Sequence, residues 1–155
     1  MKDSVIPAFQ FLEPGLLVDS ELSLRLKATA PRDDSANSVA TYYFEILVDG
    51  EIAGGVRFRA ENAYDVELLA GNLGYNVSPE FRGRRLAERA CRLLLPFARA
   101  HGFTSLWITC DPGNLASRIT CERLGARLVD IVAVPRSSDM YTDGERLKCR
   151  YLLSL

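Results

Sequence analysis

No stretch of this 155-residue chain approaches the roughly 20 apolar residues that a membrane-spanning helix requires, so no membrane partner is expected. Histidine occurs once, at His101, and none of the four cysteines (Cys91, Cys110, Cys121, Cys149) forms a C-x-x-C pair. A zinc centre would lack both ligands and spacing, and no metal is expected. There is no Gly-Lys-Ser/Thr, which removes the lysine and the magnesium-binding hydroxyl of a phosphate-loop hydrolase. No G-x-G-x-x-G follows an apolar run, which disfavours a dinucleotide oxidoreductase. Net charge is only −1, so the extended basic face of a nucleic-acid binder is missing. Met1–Ser20 has no basic start followed by an apolar block, and Glu13, Pro14 and Gly15 interrupt it. We expect no secretion signal, and reduced thiols in the cytoplasm. Internal repeats and low-complexity segments are absent.

What is present suits one compact domain over residues 1–155, with 48% hydrophobic residues to fill a core. Glu21–Thr29 alternates: Leu22, Leu24 and Leu26 face one way, Ser23, Arg25 and Lys27 the other, as in a half-buried strand. Pro31–Ser38 is a polar loop. Val39–Val48 and Glu51–Arg59 read as strands, and Asp49-Gly50 between them signals a type I′ hairpin. Leu68–Val77 predicts a fourth strand, in which Gly71 and Gly74 mark a bulge or a close backbone approach. Arg84–His101 predicts an amphipathic helix with Leu86, Ala90, Leu93, Leu94 and Phe97 on one face and Gly102 as its stop. Pro96 should kink or shorten it. A short strand over Ser105–Cys110, a turn at Asp111–Asn114, a second helix over Leu115–Leu124 and two last strands, Arg127–Val134 and Leu147–Leu155, complete the chain. The strand–helix–strand unit from Leu68 to Cys110 is a crossover, which should place two parallel neighbours in one mixed sheet.

The most informative stretch is Val77-Ser-Pro-Glu-Phe-Arg-Gly-Arg-Arg-Leu-Ala87. Arg82, Arg84 and Arg85 sit where a helix begins. A helix N-terminus carries roughly half a positive charge and unpaired N–H groups, so it prefers acids. Cations gathered there make sense if an anion sits among them, and phosphate is the usual candidate.

This stretch resembles the pyrophosphate loop of the GNAT superfamily of acyl-CoA-dependent N-acyltransferases, which reads Gln/Arg-x-x-Gly-x-Gly/Ala after the fourth strand. Arg82 and Ala87 match, and Arg85 stands where the central glycine is common. A second match is Asn114-Leu-Ala-Ser-Arg-Ile-Thr-Cys-Glu-Arg-Leu-Gly-Ala126, similar to the family's fourth-helix signature. The resemblance covers roughly Val39–Val134 and is nearest the ribosomal-protein N-terminal acetyltransferase-like branch. It implies an α/β (α+β) fold: a mixed, mostly antiparallel sheet, a central parallel strand–helix–strand crossover, and helices on both faces. It implies acetyl-CoA as co-substrate and a primary-amine acceptor, either a peptide N-terminus or a small molecule. The amides of Arg84, Arg85, Leu86 and Ala87 would cradle the pyrophosphate, with Gly83 allowing close approach and Arg82 adding charge. Asn76 and Val77 would form the splayed edge that pairs with the pantetheine arm, and Asn114 and Ser117 would touch it from the far side. Asn114 is also a good helix cap.

Resemblance implies direct attack of the amine on the thioester through a tetrahedral intermediate. The backbone near Tyr75 is the expected oxyanion donor. Many family members place a tyrosine acid seven residues after the helix asparagine; here that position is Cys121, a candidate acid or simply a buried small residue. Asn72 replaces a branch glutamate and cannot act as a base, which leaves Glu67, Asp65, Asp111 or a water chain. The helices that usually wall the acceptor site are replaced by the Ala30–Ser38 loop, so the acceptor groove should be open or completed by the Pro135–Arg146 loop or a partner subunit. A homodimer paired through an exposed sheet edge or the last two strands is compatible with the sequence, which leaves the oligomeric state open. The alternative reading is a non-catalytic acyl-CoA-binding module or sensor.

Overall fold

The computed structural model describes residues 8–155; the leader and single-domain readings fall partly on residues 1–7, outside the described residues. The chain forms β1 (Leu17–Asp19), β2 (Leu22–Ala30), β3 (Thr41–Val48), β4 (Glu51–Arg59), β5 (Leu73–Val77), α1 (Leu86–Ala100), β6 (Ser105–Cys110), α2 (Leu115–Leu124), β7 (Arg127–Ala133), α3 (Asp139–Thr142) and β8 (Leu147–Ser154). The strands make two antiparallel sheets, one in the order β1-β2-β3-β4-β5 and one in the order β6-β8-β7. The mixed α/β class expected from the sequence holds. None of the described helices is long and apolar enough to cross a membrane.

Local chemistry explains most of these elements. Asp49 and Gly50 both take positive φ, 49° and 82°, and Val48 pairs with Glu51, which is the geometry of a two-residue type I′ turn. In β4, Val56 and Phe58 point into the core while Arg57 and Arg59 point outward, the period-two alternation of a strand with one solvated face. The core joins this inner face to α1 through Leu86, Ala90, Leu94, Phe97 and Ala98. Tyr42, fully buried, stacks against Phe44 and Phe58 and meets Phe97 edge-on. His101 closes this cluster. Its Nδ1 donates to the Phe97 carbonyl at 2.8 Å, so Nε2 accepts from the Tyr42 hydroxyl at 2.8 Å, which itself accepts from the Leu12 amide at 2.7 Å.

Three expectations need correction. The strand predicted over Leu68–Val77 exists only as Leu73–Val77; Val66–Ala70 is a π-helical turn. The run Leu68-Leu69-Ala70 does not alternate, and the turn lets Val66 and Leu69 bury together. It closes with Gly71 N–H donating to Val66 O at 2.7 Å. Gly71 has φ of 72° and lies so close to β6 that a Cβ would sit 3.0 Å from the Trp107 carbonyl. Secondly, the first helix begins at Leu86, so Arg84 and Arg85 belong to the loop before it, and it continues through Pro96 to Ala100. Burial of Leu94, Phe97 and Ala98 around the proline holds that last stretch in place. Thirdly, β5 and β6, the parallel neighbours of the crossover, belong to different sheets and share no ladder.

Candidate active site

The gap between β5 and β6 is the centre of the site. At its closed end Asn72 donates its N–H to Trp107 O at 2.7 Å, and the Asn72 Oδ1 accepts from Trp107 N at 2.8 Å. Beyond this tie the strands diverge. The Ser78 amide donates to Ala53 O at 2.8 Å, and the Asn76 carbonyl faces β4 so closely that a Cβ on Gly54 would lie 2.1 Å from it. Strand alternation therefore turns the N–H and C=O of Tyr75 and Val77 away from β4 and into the gap. The Val77 carbonyl is taken by Arg82 Nε at 3.1 Å.

At the open end lies the arginine loop. Arg85 has φ of 56°, the left-handed conformation that a glycine adopts at little cost, at the position where the family pattern often has one. The amides of Gly83, Arg84, Arg85, Leu86, Ala87 and Glu88 have no backbone acceptor among the described residues. Val77, Arg82, Gly83, Arg85, Leu86 and Ala87 line one cavity of about 480 Å³. Its opposite wall is Ala116, Ile119, Thr120 and Arg123, one face of α2 by their i, i+3, i+4 spacing. Arg84 turns instead to Glu21, at 3.4 Å, and Arg89 binds Glu21 at 2.8 Å and Asp19 at 2.7 Å. The β1–β2 turn thereby braces the start of α1. The Arg89 guanidinium holds the Glu21 carboxyl down at about 2. Phe81, which also lines this cavity, and the α2 face were not anticipated from the sequence, although the 116, 119, 120, 123 spacing is the signal that would have found that face.

A second cavity, of about 580 Å³, opens across the gap; Gly74, Tyr75, Cys110, Asp111, Asn114 and Ser117 are among its walls. The Pro135–Arg146 loop does contribute, through Met140, Asp143 and Glu145. A third, of about 370 Å³, lies on the outer sheet face and includes Lys27, Tyr43, Arg57 and Asn76; it meets the second at Arg57, Gly74 and Tyr75. The outer face is thus open, as the short Ala30–Ser38 connection implied.

Asn114 caps α2, its Oδ1 accepting from Ser117 N at 3.2 Å. The Tyr75 hydroxyl reaches across the gap to Ser117 Oγ at 2.8 Å and lies 3.9 Å from Cys121 Sγ. Burial pushes the Tyr75 phenol well above its ordinary range. Cys121 is fully buried; the neighbouring Cys110 thiol and burial push its own thiol up, while the neighbouring Cys121 lowers that of Cys110. Of the carboxylates considered, only Asp111 reaches the gap. Glu67 is exposed on the π-helical turn and lines none of these three cavities, and Asp65 borders a different one.

The family model of the GNAT acetyltransferases matches residues 10–126. No curated protein matches the chain. Among solved structures, RimL, the ribosomal alpha-N-protein acetyltransferase, in complex with coenzyme A superposes with a TM-score of 0.67 at 14% identity, over 90% of this chain and 98% of that one. The microcin C7 self-immunity acetyltransferase MccE, in complex with acetyl-CoA and AMP, gives 0.59 at 19% identity, over 74% of this chain and 61% of that one. Mycobacterium smegmatis RimJ in complex with a coenzyme A disulfide gives 0.59 at 20% identity, over 77% of this chain and 55% of that one. At these identities the likeness is one of fold, and the chain spans about three fifths of MccE. The family match takes in the splayed strands, the arginine loop and α2 together, and the chain belongs to the GNAT family of acetyltransferases.

Proposed function

We propose that this protein is an acetyl-CoA-dependent N-acetyltransferase acting on a primary amine, a peptide N-terminus or a small molecule. The observation that carries this reading is the run of amides from Gly83 to Glu88 with no backbone acceptor among the described residues, where Gly83, Arg85, Leu86 and Ala87 share a cavity with α2 at the open end of a strand gap. Backbone donors of this kind, with Arg82 and Arg85 beside them, fit a pyrophosphate. The cleft-facing edge of Tyr75 and Val77 fits an extended amide-bearing arm, which would add to the sheet as a strand does. The fold kinship with RimL, described as an alpha-N-protein acetyltransferase, supports a protein N-terminus as one acceptor.

In this reading the amine nitrogen bonds to the thioester carbonyl carbon, the carbonyl π electrons move onto oxygen, and collapse expels the thiolate. The cleft-facing N–H of Tyr75 stabilises the oxyanion, and that of Val77, a strand repeat further along, is left for the extended arm. Asp111 takes the amine proton through water. The Tyr75 hydroxyl, kept protonated by burial, donates a hydrogen bond to the departing sulfur. It occupies the neighbourhood of Cys121, where many family members carry their tyrosine, and so supplies from β5 the hydroxyl that α2 lacks. Positioning along the gap provides much of the remaining rate.

Thermal unfolding with acetyl-CoA, coenzyme A, ATP and NAD tests the reading. Ligand at 100 times its dissociation constant should stabilise by about 2.7 kcal/mol, a midpoint rise of several degrees. A rise with the first two alone supports the proposal, and no rise with either removes its basis. Thiol release in the presence of amines then separates an enzyme from an acyl-CoA-binding module.

A further inference from the structure

We infer that the acceptor carries a carboxylate close to its amine and that Arg57, with Arg59 and Lys27 behind it, binds that carboxylate. The inference rests on the acetyltransferase reading of the gap and adds the substrate class.

Arg57 and Arg59 are two residues apart on β4 and share its outward face. Arg57 is paired in register with Gly74, and its side chain lies along β5: a Cβ on Gly74 would sit 3.4 Å from Arg57 Cγ and 3.5 Å from Nε. Gly74 immediately precedes Tyr75, whose N–H faces the gap. The guanidinium therefore lies beside the place where an acyl carbon and an attacking amine must meet.

Its charge is uncompensated. Several of the other arginines are matched with acids, among them Arg25 with Glu45, Arg32 with Glu61, Arg89 with Asp19 and Glu21, and Arg150 with Asp130, whereas Arg57 lines a cavity without such a partner. Among the described residues, Arg57 has no ion pair and no hydrogen bond. Among the described residues, the Arg59 guanidinium donates only to the carbonyls of Ala70, at 3.3 Å, and Gly71, at 3.2 Å. Burial, and then the like charge of Arg57, lower the pKa of Arg59. Lys27, on the wall of the outer cavity, also has no ion pair among the described residues. The one carboxylate on that wall, Glu45, is already engaged by Arg25.

Like charges left together without a counterion raise the energy of the folded state, and an arriving carboxylate removes that cost. The sign of the opposite wall agrees. Glu145 pairs with Lys148, which leaves Asp111 and Asp143 as the acids of the 580 Å³ cavity, across from Arg57 and Arg59. An amine toward Asp111 and a carboxylate toward Arg57 is the polarity of a zwitterion. Two sources share this chemistry: a free α-amino acid, and a peptide N-terminus with an acidic second residue.

The test measures thiol release at saturating acetyl-CoA with four acceptors: serine, serinamide, Ser-Asp-Ala amide and Ser-Asn-Ala amide. The inference expects one acidic member to exceed its neutral counterpart at least tenfold in kcat/KM, and the pair showing the difference identifies the source. Arg57 is exposed, so R57Q should fold; in R57Q the ratio falls toward one, and R57K retains part of it. Equal use of neutral and acidic acceptors, a ratio unchanged in R57Q, or turnover of neither acidic acceptor overturns the inference. Each is read in protein already shown to bind acetyl-CoA. Failure of acetyl-CoA to bind instead overturns the acetyltransferase reading itself.

Discussion

The side chain of Asn72 takes the place of a strand beside Trp107. Its Oδ1 accepts the Trp107 amide at 2.8 Å, while its own N–H donates to the Trp107 carbonyl at 2.7 Å. Its Nδ2 donates to Arg59 O and to Asn62 Oδ1, each at 3.2 Å, and the residue is fully buried. One carboxamide thus satisfies the backbone at the point where the two sheets part. The position where the family resemblance implied a glutamate is here a structural tie.

Asn72→Ala should therefore destabilise the protein by about 2–4 kcal/mol, because it strands buried partners at the fork. The thermal midpoint should fall by roughly 5–15 °C, and the acetyl-CoA-induced rise should shrink as the gap loses its set. Calorimetry with and without ligand reads both effects. A variant as stable as the parent would refute the structural role.

Tyr75 and Cys121 compete for the part of proton or hydrogen-bond donor to the leaving sulfur. Tyr75→Phe should lower kcat on the order of 10²-fold with acetyl-CoA binding retained. Cys121→Ala should leave kcat within a few-fold and cost about 1 kcal/mol of stability, because it only empties a small buried volume. Steady-state kinetics with denaturant melts separate the two; the reverse pattern would return the role to Cys121.

Glu21 provides a pH signature for the brace under the arginine loop. Arg89 holds its folded pKa at about 2, against an ordinary value of 4.5. A carboxylate depressed in this way adds stability above the unfolded value and loses it as pH falls through the folded one. The gap in urea midpoint between the wild type and Glu21→Gln should be constant near neutrality, narrow below pH 4.5 and close toward pH 2. A gap independent of pH would show that the ion pair contributes nothing.

The sequence by itself determined most of the secondary structure and made about half of the candidate site legible, because those features are local. Alternation in β2 and β4, Asp49-Gly50 at the hairpin, Gly102 after the first helix, and arginines before Leu86 all act within a few residues of chain. Tertiary structure decided the rest. The run Leu68–Ala70 reads as strand until the close approach of Gly71 to Trp107 folds it into a turn. The hydroxyl of Tyr75 is brought to Ser117 across 42 residues, and Asn72 to Trp107 across 35. Arg57 becomes notable only once every nearby acid is seen to be engaged elsewhere or to lie across the cavity. Such relations depend on which strands part and which side chains then face one another, and no local pattern encodes that.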